Sequence, residues 1–135
     1  MLSMTYGLLY IAKWPQELRS EPGIFEILAL NDTGGPKPVS RIGGVDGGGV
    51  LFIGQGRNVR KRLELLRLGF FHDPTRHMAA RAYKENLPFQ KVVPKQFIGF
   101  RFEHCEDYKN REKERIYSYL ASFGELPPLN SPVIL

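Results

Sequence analysis

Residues 24–30 and 50–53 are two short apolar runs separated by a segment, 31–49, dense in glycine and proline. Short apolar runs bounded by turn residues read as buried strands. Glu21, Pro22 and Gly23 open the first run, Asn31, Asp32 and Thr33 close it, and Gly54 closes the second. Two parallel strands would need a crossover, usually a helix, between them. Gly34, Gly35, Pro36, Pro38, Gly43, Gly44 and the triplet 47–49 leave no room for one. The two runs are therefore expected to pair antiparallel, joined by an elaborated loop whose Val39, Ile42 and Val45 tuck inward. That one pairing restricts the chain to folds with a mainly antiparallel sheet.

The remaining elements follow from periodicity and caps. Residues 6–12 are apolar and aromatic, and read as a strand or a short helix. A helix is expected from Asn58, a good N-cap, with Val59, Leu63 and Leu66 on its apolar face and Gly69 as its C-terminal glycine. Asp73-Pro74 opens a second helix, which runs toward Tyr83 and stops before Pro88. Residues 96–103 alternate, with Ile98, Phe100 and Phe102 on one face, and form a third strand. Asp107 caps a last helix whose Ile116, Tyr119, Leu120 and Phe123 share a face and whose stop is Gly124. The ending Pro127-Pro128-Leu129-Asn130 cannot be helical. The order of elements predicts an α+β fold, a small, mainly antiparallel three-stranded sheet flanked by helices.

The bulk properties agree with one domain over 1–135. The 135 residues are 42% hydrophobic and 24% charged, an ordinary globular balance. A formal charge of +5 suits a polyanionic partner. Cys105 is the single cysteine, so a disulfide-stapled scaffold is excluded and a reducing cytoplasm is the expected setting. The apolar stretch 8–12 is too short for a signal peptide, and no run approaches a membrane span, so no membrane partner is expected. His72, His77 and His104 lack metal-ligand spacing, and Cys105 lacks a partner.

Three local patterns occur in sequence. Gly23-Ile24-Phe25 starts the first strand. Phe52-Ile53-Gly54 is followed by Gln55-Gly56-Arg57-Asn58-Val59-Arg60-Lys61-Arg62-Leu63, and the closing Pro-Pro-Leu-Asn follows an acidic helix. Together these resemble the GIY-YIG endonuclease superfamily over about residues 22–130. The stretch 41–46 is similar to a subgroup with a longer hairpin connection. The resemblance implies a metal-dependent phosphodiester hydrolase acting on nucleic acid, DNA ahead of RNA, with Mg²⁺ or Mn²⁺ as cofactor. On that resemblance Arg62 is the phosphate-binding helix arginine, Asn130 shapes the site, and Glu112 or Glu114 is the metal carboxylate. Glu112 shares a helical face with Ile116, Tyr119 and Phe123 and projects toward the sheet. Glu114 is turned by about 200° from it, so Glu112 is the expected ligand.

Phe25 and Phe52 stand where the family has its two tyrosines. Phenylalanine keeps the ring but removes the hydroxyl that would orient or deprotonate water, and both residues also read simply as core. A base near neutral pH would then have to come from elsewhere. His72, just past the basic helix, is the first candidate, with Tyr6, Tyr10 and Tyr83 behind it. Arg57, Arg60, Lys61 and Arg67 flank Arg62 as a possible track for phosphates. Besides the endonuclease, two readings therefore stand: a nucleic-acid-binding module without hydrolysis, and a protein-interaction domain built on the same fold.

Overall fold

A computed structural model of the chain describes residues 7–10 and 14–130. Its sheet holds β1 (Gly7–Leu8), β2 (Gly23–Ala29), β5 (Val50–Gly56) and β6 (Ile98–His104), in the order β1-β6-β2-β5 with every neighbour antiparallel. The α+β class and the pairing of β2 with β5 are as the sequence implies. The sheet has four strands rather than three, because the two-residue β1 pairs with β6 through Gly7 and Leu8.

The glycine-rich segment is more than a loop. It contains a separate hairpin, β3 (Val39–Arg41) with β4 (Gly44–Asp46). Of the three residues expected to tuck inward, only Val39 packs against the core. Ile42 is 81% exposed and Val45 64%. The inward anchor is polar instead. Buried Asp46 accepts from the Val50 N–H at 3.0 Å and from the Tyr119 hydroxyl at 2.9 Å.

Helix α1 (Val59–Phe71) begins at the Asn58 cap, whose side chain accepts from the Lys61 N–H at 3.0 Å. It does not stop at Gly69. That glycine lies inside the helix, where a Cβ would come within 2.8 Å of the Ala80 Cβ, so it serves close packing and not termination. Asp73-Pro74 starts only a single 3₁₀ turn, Pro74–Arg76. The helix that follows, α2 (Met78–Lys84), is capped by His77, and a short α3 (Leu87–Val92) comes next. Helix α4 (Tyr108–Phe123) ends at Gly124 with φ of 74°, the left-handed stop expected there.

The sheet separates two different interfaces. Phe25, Ile27, Ala29, Ile98, Phe100 and Phe102 face α1 and α2 in the larger apolar core. A bulge at Leu51, where Ile27 pairs with Phe52 and Leu28 with Val50, sets both Leu51 and Phe52 on that same side. The opposite face meets α4 through a smaller apolar cluster of Leu28, Leu30, Val50, Ile53 and Tyr119. Charges complete that second interface. Glu26, fully buried on β2, is paired with Arg101 on β6 at 2.6 Å and with Arg115 on α4. Glu103 on β6 pairs with Arg111 of α4 at 2.6 Å.

Candidate functional site

The outer edge of β5 organises the site. β5 pairs with β2 on one side only, so the backbone groups of Leu51, Ile53 and Gln55 face the other way. Each of these residues is met by another part of the chain. The Leu129 N–H donates to the Leu51 carbonyl at 2.8 Å. The Asn130 side chain accepts from the Ile53 N–H at 2.9 Å and donates to its carbonyl at 3.1 Å, as an adjacent strand would. The Arg62 Nε donates to the Gln55 carbonyl at 3.3 Å. Two of the expected site residues are thus held on one strand.

Glycines make that approach possible. A Cβ at Gly56 would stand 2.8 Å from the Arg62 Cγ, and a Cβ at Gly54 would stand 2.5 Å from the Phe25 Cζ. Neither position tolerates a side chain without displacing a site residue. Arg62 itself sits on α1 beside buried Leu63, so its stem leaves the helix at the rim of the apolar stripe and its guanidinium is exposed. Tying Nε to Gln55 orients the planar fork, whose terminal nitrogens are the donors suited to phosphate.

Glu112 lies on α4, one turn before Ile116, and is half-buried, whereas Glu114 is exposed. Burial raises the Glu112 carboxyl above its ordinary range, and the charge of Arg62 pulls it the other way. Of the two carboxylates left open by the sequence, Glu112 is the half-buried one, and it feels the charge of Arg62.

Phe25 and Phe52 face each other with ring centroids 6.1 Å apart, and only 1% and 6% of them is exposed. Both are full members of the larger core, which accounts for their identity without any chemistry. Phe52 also meets the edge of the His77 ring at 5.3 Å. His77 escaped the sequence reading, which weighed it only as a metal ligand. Its Nδ1 accepts from the Ala79 N–H at 3.0 Å, capping α2. The neutral ring therefore carries its proton on Nε2. Burial, with the Arg62 charge adding to it, lowers His77 to about 4, so it is an uncharged N–H donor at neutral pH. The available signal was its place as a polar residue directly before an amphipathic helix. His77, Phe52 and Phe25 thus form a series of ring contacts, and the charge of Arg62 reaches both His77 and Glu112.

The other proposed bases lie elsewhere. His72 is exposed at the far end of α1, ten residues from Arg62, or about 15 Å along the helix axis. Tyr83 is buried, its hydroxyl donating to the Val93 carbonyl at 2.6 Å. Tyr10 stacks edge-on against Phe71 at 6.1 Å, and Tyr6 falls outside the described residues.

The basic residues divide into two groups and do not form one track. Arg57, Lys61 and Arg62 line a groove of about 400 Å³ between α1 and the start of α4. Arg60 and Arg67 lie over the Trp14 ring, at 5.9 and 4.2 Å. Arg60 also donates to the Leu18 carbonyl at 2.9 Å. These two arginines fasten the N-terminal segment to α1, on a different helical face from Lys61 and Arg62.

Among the described residues, no group of three or more His, Cys, Asp or Glu side chains could hold a metal by itself. A lone carboxylate still fits Mg²⁺, which keeps several waters and shares substrate phosphate oxygens. It does not fit a structural zinc centre, which needs four protein ligands. Among the same residues no helix is long and apolar enough to cross a membrane. No protein-family model, curated protein or solved structure matches the chain.

Proposed function

We propose that this protein is a nucleic-acid phosphodiester hydrolase of the GIY-YIG type that works with Mg²⁺ or Mn²⁺. The observation that supports the reading is that Arg62, from α1, and Asn130 are both hydrogen-bonded to the outer edge of β5, while half-buried Glu112, on α4, feels the charge of Arg62. In this reading Arg62 grips a non-bridging phosphate oxygen pair and opposes the negative charge that develops there. Glu112 holds the metal, which supplies Lewis-acid neutralisation of the phosphoryl oxygens when bound. Asn130 fixes the strand that carries Phe52, and His77 offers its Nε2–H to a phosphate or water oxygen. DNA is the expected substrate ahead of RNA.

A specific observation favours a second reading, a binding module without hydrolysis. The Phe25 and Phe52 rings bring no hydroxyl to the site, and the basic nitrogen of neutral His77 is occupied by the Ala79 N–H. Both readings are tested together. Purified protein is incubated with supercoiled DNA, linear DNA and RNA, with and without Mg²⁺ or Mn²⁺, beside Arg62→Ala. The hydrolase reading expects metal-dependent nicking that Arg62→Ala abolishes. Cleavage undiminished in Arg62→Ala would overturn the site. Binding weakened by Arg62→Ala, with no cleavage by wild type, would leave the second reading in place.

A further inference from the structure

The groove between α1 and α4 has a composition that Arg62 alone does not explain. Its lining includes Tyr108, at the start of α4, and Leu65 of α1, together with four cationic residues, Arg57, Lys61, Arg62 and Lys109. Lys109 comes from α4, so two separate helices bring positive charge to one opening of about 400 Å³. Tyr108 belongs to neither apolar cluster and is half-buried, so the core does not account for its ring. It sits one helical turn before Glu112, on the same side of α4.

An apolar floor with an aromatic ring and a cationic rim matches one chemistry well. A base offers a flat face for stacking, and its flanking phosphates need cations at the edges. A base inside a duplex has both faces covered by its neighbours, so its ring face is not available. We infer that this groove binds an unpaired nucleotide next to the scissile phosphate, its base stacked on Tyr108 and its phosphates held by Arg57, Lys61 and Lys109. The inference rests on the hydrolase or binding reading of the same site, and it names the substrate class: single-stranded or frayed nucleic acid in preference to a closed duplex.

The test is fluorescence anisotropy with a short single-stranded DNA oligonucleotide and a blunt hairpin duplex of the same sequence, for wild type, Tyr108→Ala and Tyr108→Phe. Wild type should prefer the single strand. Tyr108→Ala should weaken single-strand binding by roughly 5- to 150-fold, the span of one lost base–aromatic stack, and hairpin binding by less than about two-fold. Tyr108→Phe keeps the ring and should bind as wild type does. Affinity should fall with salt at a slope of about −0.7 per single-strand phosphate neutralised. Equal losses on both ligands, no loss for Tyr108→Ala, or a Phe variant as weak as the Ala variant would overturn the stacking site. A thermal melt of each variant identifies misfolding, and Tyr108→Phe then decides between ring and fold. Because binding is read without metal, absence of cleavage would defeat the hydrolase reading and leave this one standing.

Discussion

His77 should make the protein's stability depend on pH in a way that one substitution removes. Its folded-state value, about 4, lies below the ordinary 6.5 because burial and Arg62 both disfavour the charged ring. The folded protein therefore binds fewer protons than the unfolded chain between those values. The stability this contributes is complete above about pH 6.5 and is lost as the pH falls toward 4. A drop of about 2.5 units corresponds to a ceiling of roughly 3.4 kcal/mol, at 1.36 kcal/mol per unit. The ring is only half-buried, so solvent screening brings the expected figure to about 2 kcal/mol. His77→Asn is the informative change, because asparagine keeps an acceptor for the Ala79 N–H but cannot titrate. Urea denaturation of both proteins at about pH 7, 5.5 and 4 gives the difference in stability, in which every other titrating group cancels. Wild type should lose about 2 kcal/mol more than His77→Asn across that range. Parallel curves would refute the placement of His77 as a half-buried ring kept neutral by burial and the Arg62 charge.

Three further outcomes follow from the packing. Glu26→Gln removes the buried negative charge that pairs with both Arg101 and Arg115; both arginines retain some access to water, so chemical denaturation should show a loss of about 2–3 kcal/mol. Phe25→Tyr with Phe52→Tyr adds two phenols, and if the proposed hydrolase site lacks only a base it should gain roughly 10²- to 10⁴-fold in Mg²⁺-dependent cleavage, read by plasmid nicking. Asn130→Ala strands the outward N–H and carbonyl of Ile53; a loss of about 1–3 kcal/mol in a thermal or urea melt is expected.

What the sequence made legible was local. The Asn58 cap, the left-handed stop at Gly124 and the antiparallel pairing of β2 with β5 are each encoded within a few residues or by a connection that forbids alternatives. The face of α4 that carries Glu112 was legible for the same reason, since helical periodicity is a short-range rule. What stayed hidden depends on partners far along the chain. Gly69 has the look of a terminator until Ala80, on another helix, is seen to press against it. Glu26 sits in an otherwise apolar strand, and its burial makes sense only with Arg101 and Arg115, 75 and 89 residues away. Ile42 and Val45 suggested an inward loop from hydrophobicity alone, whereas the hairpin is anchored through Asp46 and through an Arg41–Glu125 ion pair at 2.7 Å. The division of the basic residues was equally out of reach, because Trp14 draws Arg60 and Arg67 to a face that no linear motif identifies.

The covering of β5 has a consequence for the molecule's behaviour in solution. A bare strand edge is a template on which a second chain can add itself, and proteins suppress this by blocking the edge. Here the block is made by Leu129, Asn130 and Arg62, two of which are the residues placed at the site. The Asn130 and Arg62 side chains would then serve both colloidal stability and the recognition proposed for them. A variant at Asn130 or Arg62 would expose a self-templating edge, so its soluble fraction would fall along with any binding or cleavage carried by the proposed site. Light scattering across a concentration series would separate the two effects, because self-association grows with protein concentration and a local defect in recognition does not.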